Sequence, residues 1–450
     1  MNQRGTGCQP VMNLFLHGPA ARATKKAGSM LQRIFIVTLL IAHGAFAVEI
    51  EGVQPAALDQ PRVNLHLRRE RNGKPLVAQK LGEQTINVQA FLDTGASGIM
   101  LSTTTADALG VKRVKAGDGN VVFHDVGVGG TDEFHVAEPL FIFMAPFGRT
   151  GDPDGADEYP IVVGPARPQV GPLAGGIIQM LTGGLDVVGM PVMKGKVVVI
   201  DPKPVDTFGD TLRSGVYERG GHQIPKTDRH IPLRYESFAP FTRVEPANAQ
   251  PPTMAENPFI DGVVVSMGNK TSTGSWLLDT GAAASMISSA QAAKVGVKYV
   301  EGTEGTDAPR IAGVPEDEQF TLTIGGVGGS KKVAGFFLDT LVIATRERDP
   351  IVYKKAPVFI TDITVEHPST KQKRTLDGIF GMNYLVASAH VTEAALMPDI
   401  GKLTAGAYDW IVFDEPAKVL GLKLKAELAR EAMQQQKRGA IEIKPAPKRK

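Results

Sequence analysis

Residues 91–100 read FLDTGASGIM, and residues 277–287 read LLDTGAAASMI. In each stretch an apolar pair leads to Asp-Thr-Gly, and small residues then return to apolar ones. This pattern predicts a buried strand that ends in a tight turn, because glycine allows another backbone to approach closely. By chance, an apolar pair followed by this tripeptide should occur on the order of 0.01 times in a chain of this length. Two copies therefore indicate a duplicated site that carries two aspartates.

The two stretches resemble the catalytic loops of aspartic proteases, in which two Asp-Thr-Gly loops meet across a two-fold or pseudo-two-fold axis. Pepsin-like enzymes carry both loops in one chain, whereas retroviral-type enzymes carry one loop per subunit. Asp93 and Asp279 lie in one chain, so the resemblance implies the pepsin-like arrangement and a monomer. Ala96 and Ala282 follow the glycines, as in the loops of retroviral-type enzymes.

This resemblance implies an all-β, two-lobed pepsin-like fold with a few short helices and an active-site cleft between the lobes. It makes Asp93 and Asp279 the catalytic pair. The threonines of the two loops would hydrogen-bond across the lobes, and the glycines would offer backbone donors and space. The residues that would support the loops in this way are Thr94, Gly95, Thr280 and Gly281.

A short helix is predicted after each loop. Ser102 and Gly110 are typical of the N-cap and C-cap positions of a helix, and Ser288 and Gly296 repeat this pair. A short helix at this place also agrees with the family that the loops resemble.

Two further segments follow the same family pattern. An apolar pair followed by glycine, the second signature of the family, occurs at 187–189 and again at 379–381. Residues 410–424, WIVFDEPAKVLGLKL, resemble the closing hairpin of pepsin-like enzymes. The repeated order predicts an internal duplication.

A glycine-rich hairpin is predicted between the first helix and the second signature. Residues 121–136 read VVFHDVGVGGTDEFHV, two alternating segments around glycines that can supply the positive φ of a turn. In the family a hairpin at this position is the flap, which closes over the substrate and excludes water. The flap candidates are Gly127, Gly129 and Gly130, whose pattern is closer to the retroviral flap than to the pepsin flap.

The order of the chain predicts an exported protein with six segments. The apolar run before Ala-Phe-Ala is typical of a signal peptide cleaved after Ala47; an uncleaved membrane anchor is the alternative, but the run is short for a bilayer. We expect a periplasmic or extracellular location. The glycine- and proline-rich residues 145–184 are predicted as a surface insertion. The predicted segments are a leader at 1–29, a signal peptide at 30–47, an N-terminal catalytic lobe at 48–200, a linker at 201–228, a C-terminal catalytic lobe at 229–424 and a basic tail at 425–450. The leader is explained either by a true start at Met30 or by a transit segment.

Charge and composition indicate which kinds of ligand and partner the protein should lack. From Val48 onward the chain carries 44 Lys and Arg (49 less the five in 1–47) against 47 Asp and Glu, a net charge of −3. The basic tail is expected to be solvated, with weak attachment to an anionic surface as the alternative. The histidines show no metal-ligand spacing, and the single cysteine, Cys8, lies in the leader. We expect no metal, no cofactor, no nucleic-acid partner and no transmembrane span in the mature chain.

The function that these residues favour is an aspartic endopeptidase acting on an extended peptide or protein substrate. The alternative is a catalytically inactive protein of the same fold that binds peptides or has a structural role, although both Asp-Thr-Gly motifs are intact. Glycosidases also use paired carboxylates, but their chemistry requires no duplicated Asp-Thr-Gly.

Overall fold

The computed structural model describes residues 47–78, 84–85, 88–127, 129–147, 159–171, 186–202, 212–221, 223–390 and 399–431. The predicted leader at 1–29, residues 30–46 of the predicted signal peptide and residues 432–450 of the predicted tail lie outside these ranges.

The described chain is predominantly β, as predicted. Its strands alternate buried and more exposed residues where one face meets the core, as β3 does along its length. In the first half the strands are β1 (Val48–Ile50), β2 (Ala56–Ala57), β3 (Arg62–Arg68), β4 (Val77–Ala78), β5 (Gln84–Thr85), β6 (Val88–Leu92), β7 (Ile99–Ser102), β8 (Lys115–Ala116), β9 (Gly119–Asn120), β10 (Val122–Gly127), β11 (Gly130–Val136), β12 (Leu140–Pro146), β13 (Ile161–Ala166), β14 (Gln169–Gly171), β15 (Asp186–Val188), β16 (Lys196–Asp201) and β17 (Arg213–Glu218).

The second half continues with longer strands. They are β18 (Arg229–Pro232), β19 (Arg234–Glu236), β20 (Arg243–Glu245), β21 (Asn257–Met267), β22 (Lys270–Leu278), β23 (Met286–Ile287), β24 (Lys298–Tyr299), β25 (Ile311–Ala312), β26 (Phe320–Gly326), β27 (Gly329–Ile343), β28 (Ile351–Ile360), β29 (Thr364–Glu366), β30 (Lys373–Thr375), β31 (Gly378–Phe380), β32 (Ser388–His390), β33 (Asp399–Thr404), β34 (Tyr408–Asp414) and β35 (Val419–Leu424).

The helices are short. They include α1 (Thr103–Ala108), α2 (Met190–Met193) and α3 (Ser289–Lys294), together with 3-10 turns at Ala239–Phe241, Glu316–Glu318 and Met382–Tyr384. The predicted caps are confirmed, because the side chain of Ser102 accepts a hydrogen bond from the backbone of Thr105 and that of Ser288 accepts one from Gln291. Each of these two helices is followed by a glycine with positive φ, at 61° for Gly110 and 93° for Gly296.

Among the described residues the strands form three large sheets. A ten-stranded sheet, here called the N-terminal sheet, has the order β13-β12-β3-β6-β15-β7-β14-β11-β10-β20. A nine-stranded sheet, the C-terminal sheet, has the order β1-β28-β23-β31-β22-β21-β27-β26, with β19 paired to β21. A five-stranded sheet, the joint sheet, has the order β17-β16-β34-β35-β18 and takes strands from both halves of the sequence.

One strand arrangement occurs in both of the larger sheets. In the N-terminal sheet β15 lies parallel to β6 and antiparallel to β7. In the C-terminal sheet β31 lies parallel to β22 and antiparallel to β23. The strands β6 and β22 each lead into an Asp-Thr-Gly, and β15 and β31 carry the second signature. The predicted repeat of strand, loop and signature is therefore present in the fold.

Three segments differ from the expectation that they lack regular structure. Within the predicted linker at 201–228, β17 pairs with β16 along its whole length, because Ser214 and Val216 alternate toward the interior. The predicted insertion at 145–184 contains β13 and β14, and β14 is fully buried between β7 and β11. Residues 426–431, at the start of the predicted tail, are helical.

Strands β1 and β2 belong to the second half of the structure. Strand β1 pairs in parallel with β28 of the C-terminal sheet, and β2 pairs with β32. Val48 and Ile50 are buried there, because β1 covers an otherwise open edge of β28. In the part of the chain that the structure describes, no helix has both the length and the apolar character required to cross a bilayer.

Candidate functional site

The site is built where β6 and β22 end. Asp93 follows β6, and its backbone N–H donates to the carbonyl of Val188 at 3.1 Å. Asp279 follows β22, and its N–H donates to the carbonyl of Phe380 at 3.0 Å. Strands β15 and β31, which carry the second signature, thus bind the backbone of the two aspartates from the neighbouring position in each sheet.

The loop backbone holds each carboxylate. In both loops the N–H groups of the second and third residues after the aspartate donate to its Oδ1. The donors and distances are Gly95 at 2.7 Å and Ala96 at 3.1 Å for Asp93, and Gly281 and Ala282, both at 2.9 Å, for Asp279. The two carboxyl groups also form a hydrogen bond with each other.

The glycines of the two motifs are required by close packing between the loops. A Cβ added at Gly95 would lie 2.4 Å from Cγ of Asp279, and one at Gly281 would lie 2.3 Å from Cγ of Asp93. Each carboxyl group therefore packs against the glycine of the opposite loop, where no side chain fits.

The two threonines connect the loops reciprocally. The N–H of Thr94 donates to Oγ1 of Thr280 at 3.0 Å, and the N–H of Thr280 donates to Oγ1 of Thr94 at 3.0 Å. Each hydroxyl then donates to the strand before the opposite loop, at 2.6 Å to the carbonyl of Leu278 and at 2.5 Å to that of Leu92. Both threonines are buried, so this network fixes the separation of the aspartates.

Burial raises the pKa of both aspartates. Desolvation is the largest cause for each, and four backbone or side-chain hydrogen bonds only partly oppose it for Asp93. For Asp279 the negative charge of Asp93 and the hydrogen bond between them raise the pKa further. Two carboxylates at this separation do not both ionise readily, so the pair retains one proton and titrates as a unit.

Two side-chain amides that the motif search did not identify also bind the loops. The Nδ2 of Asn257, a fully buried residue at the start of β21, donates to the carbonyls of Thr94 and Gly95, both at 2.9 Å. The Nε2 of Gln60, just before β3, donates to the carbonyl of Gly281. Each amide crosses to the loop of the other half. The sequence signal for both is their position: Gln60 lies just before β3, and Asn257 is the first residue of β21.

The predicted glycine-rich hairpin is confirmed as β10 and β11, closed by the pair Gly127 and Gly130. A second hairpin of the same form consists of β26 and β27, closed by Gly326 and Gly329. The sequence analysis did not identify this second hairpin by residue, although GGVGG at 325–329 repeats the VGVGG at 126–130.

The two hairpin tips touch one another. The N–H of Gly129 donates to the carbonyl of Val327 at 2.9 Å. A Cβ at Gly129 would lie 2.4 Å from the backbone carbon of Gly328, so the tips meet at van der Waals distance. All three predicted flap glycines lie against the second hairpin: Gly127 packs on Val327, Gly129 packs on Gly328, and a Cβ at Gly328 would lie 2.4 Å from the backbone nitrogen of Gly130.

A cleft of about 490 Å³ lies between the aspartates and the hairpins. Its described lining includes Asp93 and Asp279, the loop glycines, residues 125–127 and 322–327 of the two hairpins, and Ala56, Ala57 and Gln60. A more open depression of about 1100 Å³, lined by Arg69, Lys112 and Arg167, shares no lining residue with the cleft. No group of three or more potential metal ligands occurs among the described residues.

A scan of the sequence against models of known protein families found no matching model, and a search of curated proteins found no match.

Proposed function

We propose that the protein is an aspartic endopeptidase of the two-lobed, pepsin-like type, with its active-site cleft between the lobes. The observation that carries this proposal is the hydrogen-bonded pair of Asp93 and Asp279, each held by two backbone N–H groups. The reciprocal threonine bonds support it, because they keep the pair rigid as catalysis at a shared water requires.

In the proposed mechanism the pair holds one proton, and aspartic proteases are the reference case of such sharing. The ionised carboxylate takes a proton from a water molecule while the oxygen of that water attacks the scissile carbonyl carbon. The protonated carboxyl group donates to the carbonyl oxygen and supports the gem-diol. Collapse of the gem-diol transfers a proton to the amine nitrogen and breaks the C–N bond, and no covalent enzyme intermediate forms.

The two hairpins take the role of flaps in this proposal. Their tips lie over the cleft and would have to separate before an extended peptide could enter. We further propose that the enzyme acts outside the cytoplasm as a monomer, because the sequence carries an export signal and both aspartates. Light scattering of the active species would measure the oligomeric state.

The proposal is tested by incubating the full-length protein with a mixed peptide library, with and without the statine-type inhibitor pepstatin. We expect internal cleavage that pepstatin inhibits. Peptide binding without cleavage at any pH would instead identify an inactive scaffold that binds peptides.

The first prediction is that Asp93→Asn and Asp279→Asn each lower kcat/KM on the order of 10³-fold or more, since each removes half of one catalytic unit. Both variants should fold, because asparagine keeps the size of the side chain. Substantial turnover by either variant, measured on the library's best substrate, would contradict the proposed mechanism.

A further inference from the structure

The two hairpins present chemically different residues at corresponding positions. Counted from the glycine pair that closes each hairpin, Asp125 and Ile324 both stand two rungs away on the first strand. Both line the cleft. The two equivalent hairpins therefore place a carboxylate on one side of the aspartate pair and a branched aliphatic side chain on the other.

The surroundings of Ile324 are apolar. Ile324 belongs to a hydrophobic cluster that continues into the cleft wall. Members of this wall that face the cleft are Leu277, Met286, Leu322, Ile363, Leu376 and Ile379. This side of the cleft would accept a large apolar side chain, since removing such a group from water is favourable.

No positively charged side chain lines the cleft beside Asp125 in the described part of the chain. Burial raises its pKa to about 6, and the N–H of Val126, which donates to Oδ1 at 2.9 Å, opposes the shift. The amide of the fully buried Gln169 also approaches the carboxylate, without forming a hydrogen bond of normal geometry. Asp125 makes no ion pair with any described residue.

The described lining of the cleft contains no lysine, arginine or histidine. Its acidic members are Asp93, Asp125 and Asp279. A desolvated carboxylate without a cationic partner is costly, and a cation supplied by a ligand would remove that cost. An acidic ligand side chain at this place would add repulsion.

We propose that Asp125 determines specificity by accepting a lysine or arginine side chain of the substrate on one side of the scissile bond, opposite a large apolar residue held beside Ile324. This inference depends on the peptidase function proposed above and adds a substrate class to it: peptides with a basic and an apolar residue flanking the cleaved bond.

The test uses full-length protein and blocked hexapeptides of the form Ala-Ala-X-Z-Ala-Ala, in which X and Z vary over all amino acids. We expect the best substrates to carry lysine or arginine at one variable position and leucine or phenylalanine at the other. Lysine should exceed glutamine at the basic position by roughly 10-fold in kcat/KM, within the range for hydrogen bonds to charged groups.

Variants of Asp125 test whether this residue causes the preference for a basic side chain. Asp125→Asn should make lysine and glutamine equivalent, and Asp125→Leu should favour apolar residues at both positions. Asp118→Asn is the matched control, because Asp118 is exposed in the turn between β8 and β9 and lines no part of the cleft. It should keep the parent preference.

A binding measurement distinguishes failure of the proposed role of Asp125 from failure of the proposed peptidase function. Asp279→Asn protein is titrated calorimetrically with the hexapeptide Ala-Ala-Lys-Leu-Ala-Ala, its reversed form Ala-Ala-Leu-Lys-Ala-Ala and the glutamine counterpart of each, with and without Asp125→Asn. Cleavage without a basic preference, or a preference that survives Asp125→Asn, overturns the role of Asp125 and leaves the peptidase intact. Tighter lysine binding that depends on Asp125, in the absence of any cleavage by the parent, upholds the recognition of a basic side chain by Asp125 and overturns the peptidase. If there is neither cleavage nor selective binding, both fail.

Discussion

Asn257 shows how much of the site depends on one buried side chain. Its single amide satisfies two loop carbonyls from a strand in the other half of the chain. Because the loop it holds carries Asp93, the position of the carboxylate depends on a residue that does not touch it. Asn257 is therefore a positioning residue.

We predict that Asn257→Ala lowers kcat about 10-fold or more with little change in KM, because removing the donor leaves two buried carbonyls unsatisfied at a general cost of about 1–3 kcal/mol. The kcat and KM values on the best library substrate measure the effect. The control is Asn269→Ala, at an exposed turn position. An equal rise in KM, or an unchanged kcat, would show that Asn257 supports only the fold.

The raised pKa values of the aspartate pair link catalysis to stability. A group whose pKa is higher in the folded than in the unfolded state favours folding most below its unfolded pKa, here near the ordinary value of 3.8. This contribution is lost as the pH rises through the folded pKa. At neutral pH the protein therefore bears the cost of charge in a desolvated pair.

We predict that Asp279→Asn is more stable than the parent by roughly 1–3 kcal/mol at about pH 8, the general cost of a poorly satisfied buried polar group. The difference should vanish at about pH 3, where the parent pair is protonated. Urea unfolding at both pH values measures it, with the exposed Asp118→Asn as control. A difference that is the same at both pH values would contradict the assignment.

The paired hairpins are the element on which access to the cleft depends. Their strands are fixed by regular ladders, and their tips meet through glycines of both hairpins and through Val327. Small residues are needed there because the two backbones approach more closely than any side chain permits.

We predict that Gly129→Ala lowers kcat/KM about 10-fold, because its Cβ would lie 2.4 Å from the backbone of Gly328 and the tips must separate. Faster amide hydrogen exchange at residues 126–130 and 325–329 should accompany the loss. Gly119→Ala is the control, since its Cβ meets only one carbonyl oxygen at 3.8 Å. Unchanged exchange and kinetics would mean that tip contact is irrelevant to access.

In the whole molecule, residues 48–60 connect the two halves. Residues 48–60 add β1 to the C-terminal sheet, and then run to the catalytic loops, where the N–H of Ala57 donates to the carbonyl of Ala283 at 2.7 Å. Gln60 ends this segment at Gly281. The segment therefore contributes Ala56, Ala57 and Gln60 to the lining of the cleft.

We predict that deletion of residues 48–57 inactivates the protein and lowers its unfolding midpoint in urea, because it exposes the edge of β28 and removes the buried side chains of Val48, Ile50 and Val53. Ile50→Ala, which removes part of the same contact, should cost about 2–5 kcal/mol. Activation by the deletion would show that the segment is inhibitory.

Much of the site could be predicted because its signals are local. Asp-Thr-Gly, a serine N-cap with a glycine after the helix, and alternating residues around glycines each describe a few neighbouring positions whose backbone geometry depends on residue type. These features placed the aspartates, both helices and the first hairpin. Strands β13 and β14 were missed because proline and glycine around short strands hide any alternation, and their burial comes from neighbours distant in sequence.

Other features could be recognised only in the folded chain, because they depend on residues far apart in sequence. Gln60 and Gly281 are 221 positions apart, and Asn257 and Thr94 are 163 apart. The tip contact, the pairing of β1 with β28 and the opposition of Asp125 to Ile324 arise in the same way. No local pattern encodes such pairs, since the sheets bring them together only after each strand has found its register.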